Sequence, residues 1–331
     1  MKQSVFLLLS LVIAATAPAL DRFGKTEKHM GADFTVKLFA RDEEEARAGF
    51  REAFAIIAEY DRLLSDYNAE SELMQLCAKS PTREPVAVSP QLFNVLSQAQ
   101  AMSEKTDGAF DATVGPLTRL WRRARRQREL PTEEERIAAL AAVGWKNVVL
   151  EAERRVSLKK PKMQLDLGGI APGAAAQQAL VRLKEMGIAS ALVDASGDVS
   201  LGDAPPGEKG WKIGIAPLRA NSPPEYFLTL ANCAVATSGD AFRGVTIDGV
   251  RYSHIVDPAT GLGVKHRSSV TVIAADGGTA DALATAMSVA GPKRGLELLK
   301  NFPGAEVRFV TEDDEGEVHV VTSENFPPSQ R

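Results

Sequence analysis

The sequence is poor in the residues that most often announce a function. It has only 2 cysteines and 4 histidines in 331 residues. Cys77 and Cys233 stand far apart, without the close spacing of a metal site. They can pair in an oxidising compartment or serve as separate packing thiols. Positive charge is not in excess. The formal net charge is -4, so there is no electrostatic case for a nucleic-acid partner. There is no internal repeat and no low-complexity linker. Beyond the N-terminus, no apolar run approaches the ~20 residues of a membrane span.

What is present is ordinary globular composition, 44% apolar and 25% charged. The length allows one large domain or two small ones with a real core. Lys2 precedes an apolar run from Val5 to Ala15, which leads into Ala17-Pro18-Ala19. A short apolar run with a small-residue end fits a cleavable secretory signal over 1–19, leaving 20–331 as the mature chain. The chain is therefore expected outside the cytoplasm.

Phe34, Val36 and Leu38 alternate with polar residues, a strand pattern. Ala46, Phe50, Ala53, Ile57, Tyr60 and Leu64 recur at helical spacing and predict a helix over Asp42 to Leu64. A second helix is expected over Ser89 to Thr106. Six arginines between Arg119 and Arg128 read as a solvated helix face. Thr132 and Glu135 form a capping box, and Gly144 closes the helix they open. Further strands are expected at Val148 to Leu150, around Val156, at Ala191 to Val193, Trp211 to Ile215 and Ser268 to Ala274. A helix is expected over Ala174 to Met186. Asp248-Gly249, between two short apolar-rich runs, predicts a type I′ hairpin. Asp281 to Ala290 reads as a nearly all-apolar helix stopped by Gly291-Pro292. Val307 to Val310 and Val318 to Val321 form a last hairpin around Asp313-Asp314-Glu315-Gly316. Strands and helices mix without βαβ alternation, so the expected class is α+β.

Three segments can carry chemistry. Asp166-Leu167-Gly168-Gly169-Ile170-Ala171-Pro172-Gly173 leads into a helix, where backbone groups can approach a phosphate or metal. His254 lies in Ser253 to Gly261, a segment rich in turn chemistry. It can act as a general base or acid, or sit hydrogen-bonded within the turn. Asp281 and Thr285 are four apart, hence on one helix face. An ionised Asp on an apolar helix is costly unless paired. A hard cation such as magnesium would settle it. The alternative is a helix-start Asp, with Thr285 bonding back to helix carbonyls.

Six segments in order resemble the ApbE family of FAD:protein FMN transferases. They are Met30-Gly31; Ser65-Asp66-Tyr67 with Ser71-Glu72; Asp107 to Leu117; the Asp166 loop with Ala236-Thr237-Ser238-Gly239-Asp240; the His254 turn; and Ala280 to Thr285. The resemblance implies a T-fold-related α+β domain of mixed or antiparallel sheets packed by helices, with an FAD cleft between lobes. It implies FAD contacts at Met30, Tyr67, Ala109, Phe110, Asp111, Asp166, Pro172 and Ile255. It implies Mg2+ on the side chains of Asp281 and Thr285 and the backbone oxygens of Gly169 and Ala284. His254 matches the reactive histidine. The implied reaction places FMN on a Thr or Ser of an acceptor protein and releases AMP. The implied acceptors are periplasmic or membrane-attached electron-transfer subunits.

The chain departs from the family pattern at Ala171-Pro172-Gly173-Ala174-Ala175-Ala176-Gln177, where a Lys, a Tyr and an Asp are common. It also reads Ser196-Gly197-Asp198 where two glycines are common. Those departures keep open an FAD pyrophosphatase and a flavin-binding relative without turnover.

Overall fold

The computed structural model describes residues 20–219, 223–239, 244–313 and 315–330. The signal expected over 1–19, and Asp240 and Asp314 of the quoted motifs, lie outside the described residues.

The chain opens with a hairpin, β1 (Asp21–His29) and β2 (Ala32–Ala40). Its tip is Met30-Gly31, both at positive φ (51° and 72°), the backbone hand that lets a two-residue turn match strand twist. Phe34, Val36 and Leu38 of β2 are fully buried, as their alternation predicts. β1 escaped sequence reading because it is an edge strand with charge on both faces. Helix α1 (Glu43–Leu64) starts where Asp42 accepts from the Glu45 N–H and buries the expected stripe. Ser71 caps a short helix, α2 (Glu72–Ala78), that the sequence pattern does not predict. After β3 (Val86–Ala87), Ser89 caps α3 (Pro90–Lys105).

The arginine-rich segment is α4 (Gly115–Gln127), and α5 (Glu133–Ala141) carries the predicted capping box. Two strands, β4 (Val148–Glu151) and β5 (Arg155–Leu158), follow. Helix α6 (Ala171–Glu185) begins three residues earlier than expected, so Pro172 falls in its first turn. There its missing N–H is a donor that has no intrahelical partner anyway.

Next come β6 (Ala191–Ala195), β7 (Asp198–Leu201), β8 (Trp211–Gly214), β9 (Phe227–Leu230) and β10 (Cys233–Gly239). Asp248-Gly249, both at positive φ, joins β11 (Val245–Ile247) to β12 (Val250–Tyr252) as expected. Strand β13 (Arg267–Ala274) leads into α7 (Gly277–Leu299). Gly291, at φ 71° and ψ 173°, breaks α7 where the sequence predicts a stop, but helix resumes beyond Pro292. The hairpin β14 (Glu306–Glu312) and β15 (Val318–Thr322) ends the fold.

The main sheet has eight strands in the order β1-β2-β6-β7-β10-β13-β14-β15. Every pairing in it is antiparallel. Helices α1, α6 and α7 pack together and onto one face, with α3 behind them. Alternate residues of the central strands, including Leu192, Val199, Val235 and Ile273, point to the other face. There they meet Trp211 and Leu228 of β8 and β9 in a second apolar cluster. A third cluster joins α4 and α5 to the β11–β12 hairpin through Leu117, Trp121, Ile247 and Tyr252. The class is α+β with antiparallel sheets. Both cysteines are free. Cys77 is buried and its Sγ accepts from the Leu165 N–H, whereas Cys233 packs against the second cluster.

Candidate active site

A single large cleft runs between the helical layer, the tips of the sheet hairpins and the third cluster. Its volume is about 1850 Å³, above the ~300–1,000 Å³ of most small-ligand pockets. A dinucleotide with room for an approaching chain fits that space.

The floor is the start of α6 against α7. Gly173 and Gly277 touch backbone to backbone. A Cβ on Gly173 would lie 2.2 Å from the Gly277 oxygen, so this approach requires glycine. The Gly173 N–H donates to Asp281 Oδ2 at 3.2 Å. Asp281 is buried, and burial pushes its carboxyl up to about 7. It does not start its helix: Asp276 caps α7, its side chain accepting from the Thr279 N–H. That removes the helix-start reading of Asp281. The backbone of Gly169 lies against Thr285, whose Oγ1 would be 3.0 Å from a Cβ placed there. Asp281, Thr285 and Gly169 all line the cleft. Ala284 does not. It is buried, and its carbonyl accepts the Ser288 hydroxyl at 2.9 Å. Gln177 stands where the family often has an acid, and its Oε1 accepts the Gly277 N–H at 3.1 Å. The neutral residue thus supplies the acceptor that the start of α7 needs.

The rim is charged. Asp166 accepts the Gly168 N–H on Oδ1 at 2.9 Å, which shapes the glycine loop. Arg122 of α4 donates from Nη1 to Asp66 at 2.6 Å and from Nη2 to Asp166 at 3.1 Å. Burial and the nearby Asp166 push the Asp66 carboxyl up, and Arg122 pulls it down. Tyr67 is 78% exposed, with the Arg122 guanidinium 4.3 Å from its ring centre.

The third wall carries His254, Ile255 and Val256. It is pinned by Trp121, whose indole N–H donates to the Ser253 carbonyl at 2.9 Å and whose ring meets Tyr252 edge-on. The Ser253 hydroxyl accepts the Ile255 N–H at 3.1 Å. From α5, Arg136 donates to the Thr260 carbonyl at 2.6 Å. Two helices therefore hold the turn that presents His254.

Met30, Tyr67, Ala109, Phe110, Asp111, Asp166, Pro172 and Ile255 all line the same cleft. Asp111 is there chiefly as a brace. One of its oxygens takes the Thr113 N–H and hydroxyl, and the other takes the Trp145 N–H. Sequence reasoning missed Arg122, Trp121 and Asp198. Asp198 lines the cleft close enough to Asp281 and Asp194 that both reinforce burial in raising its carboxyl. The signal for Trp121 was available, a lone Trp on the apolar stripe of a basic helix. Arg122 is its neighbour at the edge of that stripe, where solvated and cleft-facing arginines look alike. A separate exposed grouping, Asp313, Glu317 and His319, sits on the β14–β15 turn and does not line the cleft.

The ApbE family model matches residues 30–309. A FAD:protein FMN transferase of Treponema pallidum is 32% identical over 88% of this chain and 85% of its own length. One from Vibrio cholerae is 31% identical over 92% of each. Among solved structures, the flavin transferase ApbE of Vibrio cholerae superposes with a TM-score of 0.83 at 30% identity. It covers 93% of this chain and 98% of that one. The apbe protein of Thermotoga maritima gives 0.81 at 32% identity, covering 92% and 97%. This chain belongs to the ApbE family.

Proposed function

We propose that this chain is a magnesium-assisted FAD:protein FMN transferase that moves the FMN half of FAD onto a Thr or Ser hydroxyl. The observation that carries the proposal is one arrangement: the start of α6, the buried Asp281 and His254 line one cleft of about 1850 Å³. The chemistry of the donors fits magnesium. Asp281 and Thr285 offer hard oxygens, and a carboxylate raised by burial gains most from a cation. The backbone of Gly169 lies against Thr285 and lines the same corner. A magnesium ion held by Asp281 and Thr285 would supply positive charge against the pyrophosphate and the leaving AMP.

The chain's own residues supply position and proton transfer. The N–H groups at the start of α6 favour an anion, even with Pro172 in the first turn. Met30, Phe110 and Ile255 give apolar lining, and Tyr67 gives a ring face. His254 accepts the proton of the acceptor hydroxyl as its oxygen attacks the FMN phosphorus. The bond to the bridging oxygen breaks, and that oxygen leaves with AMP. The new bond is a phosphoester. The signal-like 1–19 segment supports export, with acceptors among periplasmic or membrane-attached electron-transfer subunits.

The test is to incubate the mature chain with FAD, magnesium and a Thr-bearing peptide, reading peptide mass and AMP. A gain of one FMN with stoichiometric AMP is expected. A His254→Ala chain should be slower by ~10²–10⁴-fold, and one that transfers at the normal rate sinks the role given to His254. AMP and free FMN with unlabelled peptide would replace transfer by hydrolysis.

A further inference from the structure

We infer that Arg122 is a positioning residue for FAD, holding Tyr67 as an aromatic shelf on which a ring of the dinucleotide stacks. The inference rests on the proposed FAD reading of the cleft.

Helix α4 cannot rotate freely. Its first N–H, from Gly115, donates to the Gln164 carbonyl at 3.1 Å, and Val114 bridges Gln164. Leu117 and Trp121 are sunk in the third cluster. With that register fixed, the residue after Trp121 must lie at the cleft edge. Arg122 uses the parts of a guanidinium separately. Its two amino groups grip Asp66 and Asp166, on two different walls. Its guanidinium carbon lies over the Tyr67 ring, 4.3 Å from the ring centre.

This is not a loose surface pair of the kind that contributes little. The Arg122 side chain is 30% exposed and that of Asp166 only 9%. Without the cation, burial and mutual repulsion would act on the two carboxylates with only backbone N–H groups to oppose them. Tyr67 has little else to hold it. Its N–H reaches the Ser65 hydroxyl at 3.3 Å, and its side chain is mostly exposed. An exposed tyrosine free to change rotamer must be ordered when ligand binds. Stacked on Arg122, it is ordered beforehand, which cuts that cost. Lysine would keep a charge but lose both the fork and the stacking plane.

The test is FAD titration by flavin fluorescence, with melting curves as a folding control, on wild type, Arg122→Gln, Arg122→Lys, Tyr67→Ala and the Arg122→Gln/Tyr67→Ala double variant. Arg122→Gln should weaken FAD binding roughly tenfold. KM for FAD should rise in step, with kcat within about twofold. In the Tyr67→Ala background the same change should cost less than about twofold, because the shelf is already gone. Arg122→Lys should melt like wild type and still bind FAD several-fold more weakly. Wild-type affinity in Arg122→Lys or Arg122→Gln overturns the inference. So does a full loss from Arg122→Gln when Tyr67 is already Ala, since Arg122 would then act on FAD directly. Wild-type protein that binds no FAD removes the reading of the cleft, and this inference with it.

Discussion

The floor and the rim of the cleft are built by different physics. The floor is apolar and close-packed. Gly173 and Gly277 bring two helix starts together, and the Asp281 carboxyl sits there on the Gly173 N–H, with Asp198 close by. The rim is polar and partly wet, held by a carboxylate–arginine–carboxylate clamp and an exposed ring. A floor of this kind fixes geometry and charge at the reacting atoms. A rim of this kind orders what approaches them. Substitutions in the floor should therefore act on kcat or on folding, and substitutions in the rim on KM.

The largest effect should come from Asp281→Asn. It keeps the shape, removes the charge and should cut magnesium-dependent AMP release by ~10²–10³-fold, as for loss of a group aimed at transition-state charge. AMP release under saturating FAD checks it, and a change confined to KM would place Asp281 with the rim. Gly173→Ala comes next. Its Cβ would sit 2.2 Å from the Gly277 oxygen, so the helices must part, at ~1–3 kcal/mol as in other overpacked cores. Denaturant melting of the metal-free chain reads this, and unchanged stability would mean the contact is soft.

The smallest and most gradual effect concerns pH. Burial raises the Asp281 carboxyl from 3.8 to about 7 in the folded chain. Between those values the folded state holds a proton that the unfolded state has released. The stability from this group is whole below the lower value and lost as pH climbs through the upper one. On the proposed metal reading magnesium would have to displace that proton, so its affinity should rise over the same interval. Added magnesium should raise the melting midpoint clearly at about pH 8 and little at about pH 5. An equal rise at both would take Asp281 out of the metal site.

The same contrast explains what could be read without a structure. The floor was legible because its signals are local. Asp281 and Thr285 are polar in an apolar helix, and glycines precede α6. The rim was legible only in part: Tyr67 and Asp166 came with the family resemblance, but Arg122 acquires its meaning only when residues 66, 67 and 166 meet it in space. Helix α1, capped by Asp42, and the Asp248-Gly249 hairpin carry their own start and turn chemistry and appeared where expected. Strands β1 and β7 did not, since charge on an edge strand and a four-residue strand after a turn leave little periodicity. Helix α6 began early because proline suits a first turn better than the loop it suggests in sequence.

The strand order carries a consequence for how the molecule is made. As the chain emerges, β1 and β2 can close into a hairpin at once, but the other edge of β2 pairs with β6, with Val36 opposite Val193. Until that distant strand arrives, β2 offers an unsatisfied, apolar ribbon to any passing chain. Only when α6 and α7 lock through their glycines is the sheet covered on that face. Covering of the sheet and assembly of the cleft floor thus depend on the same glycine contact, and a chain truncated before α7 should be both inactive and prone to aggregate.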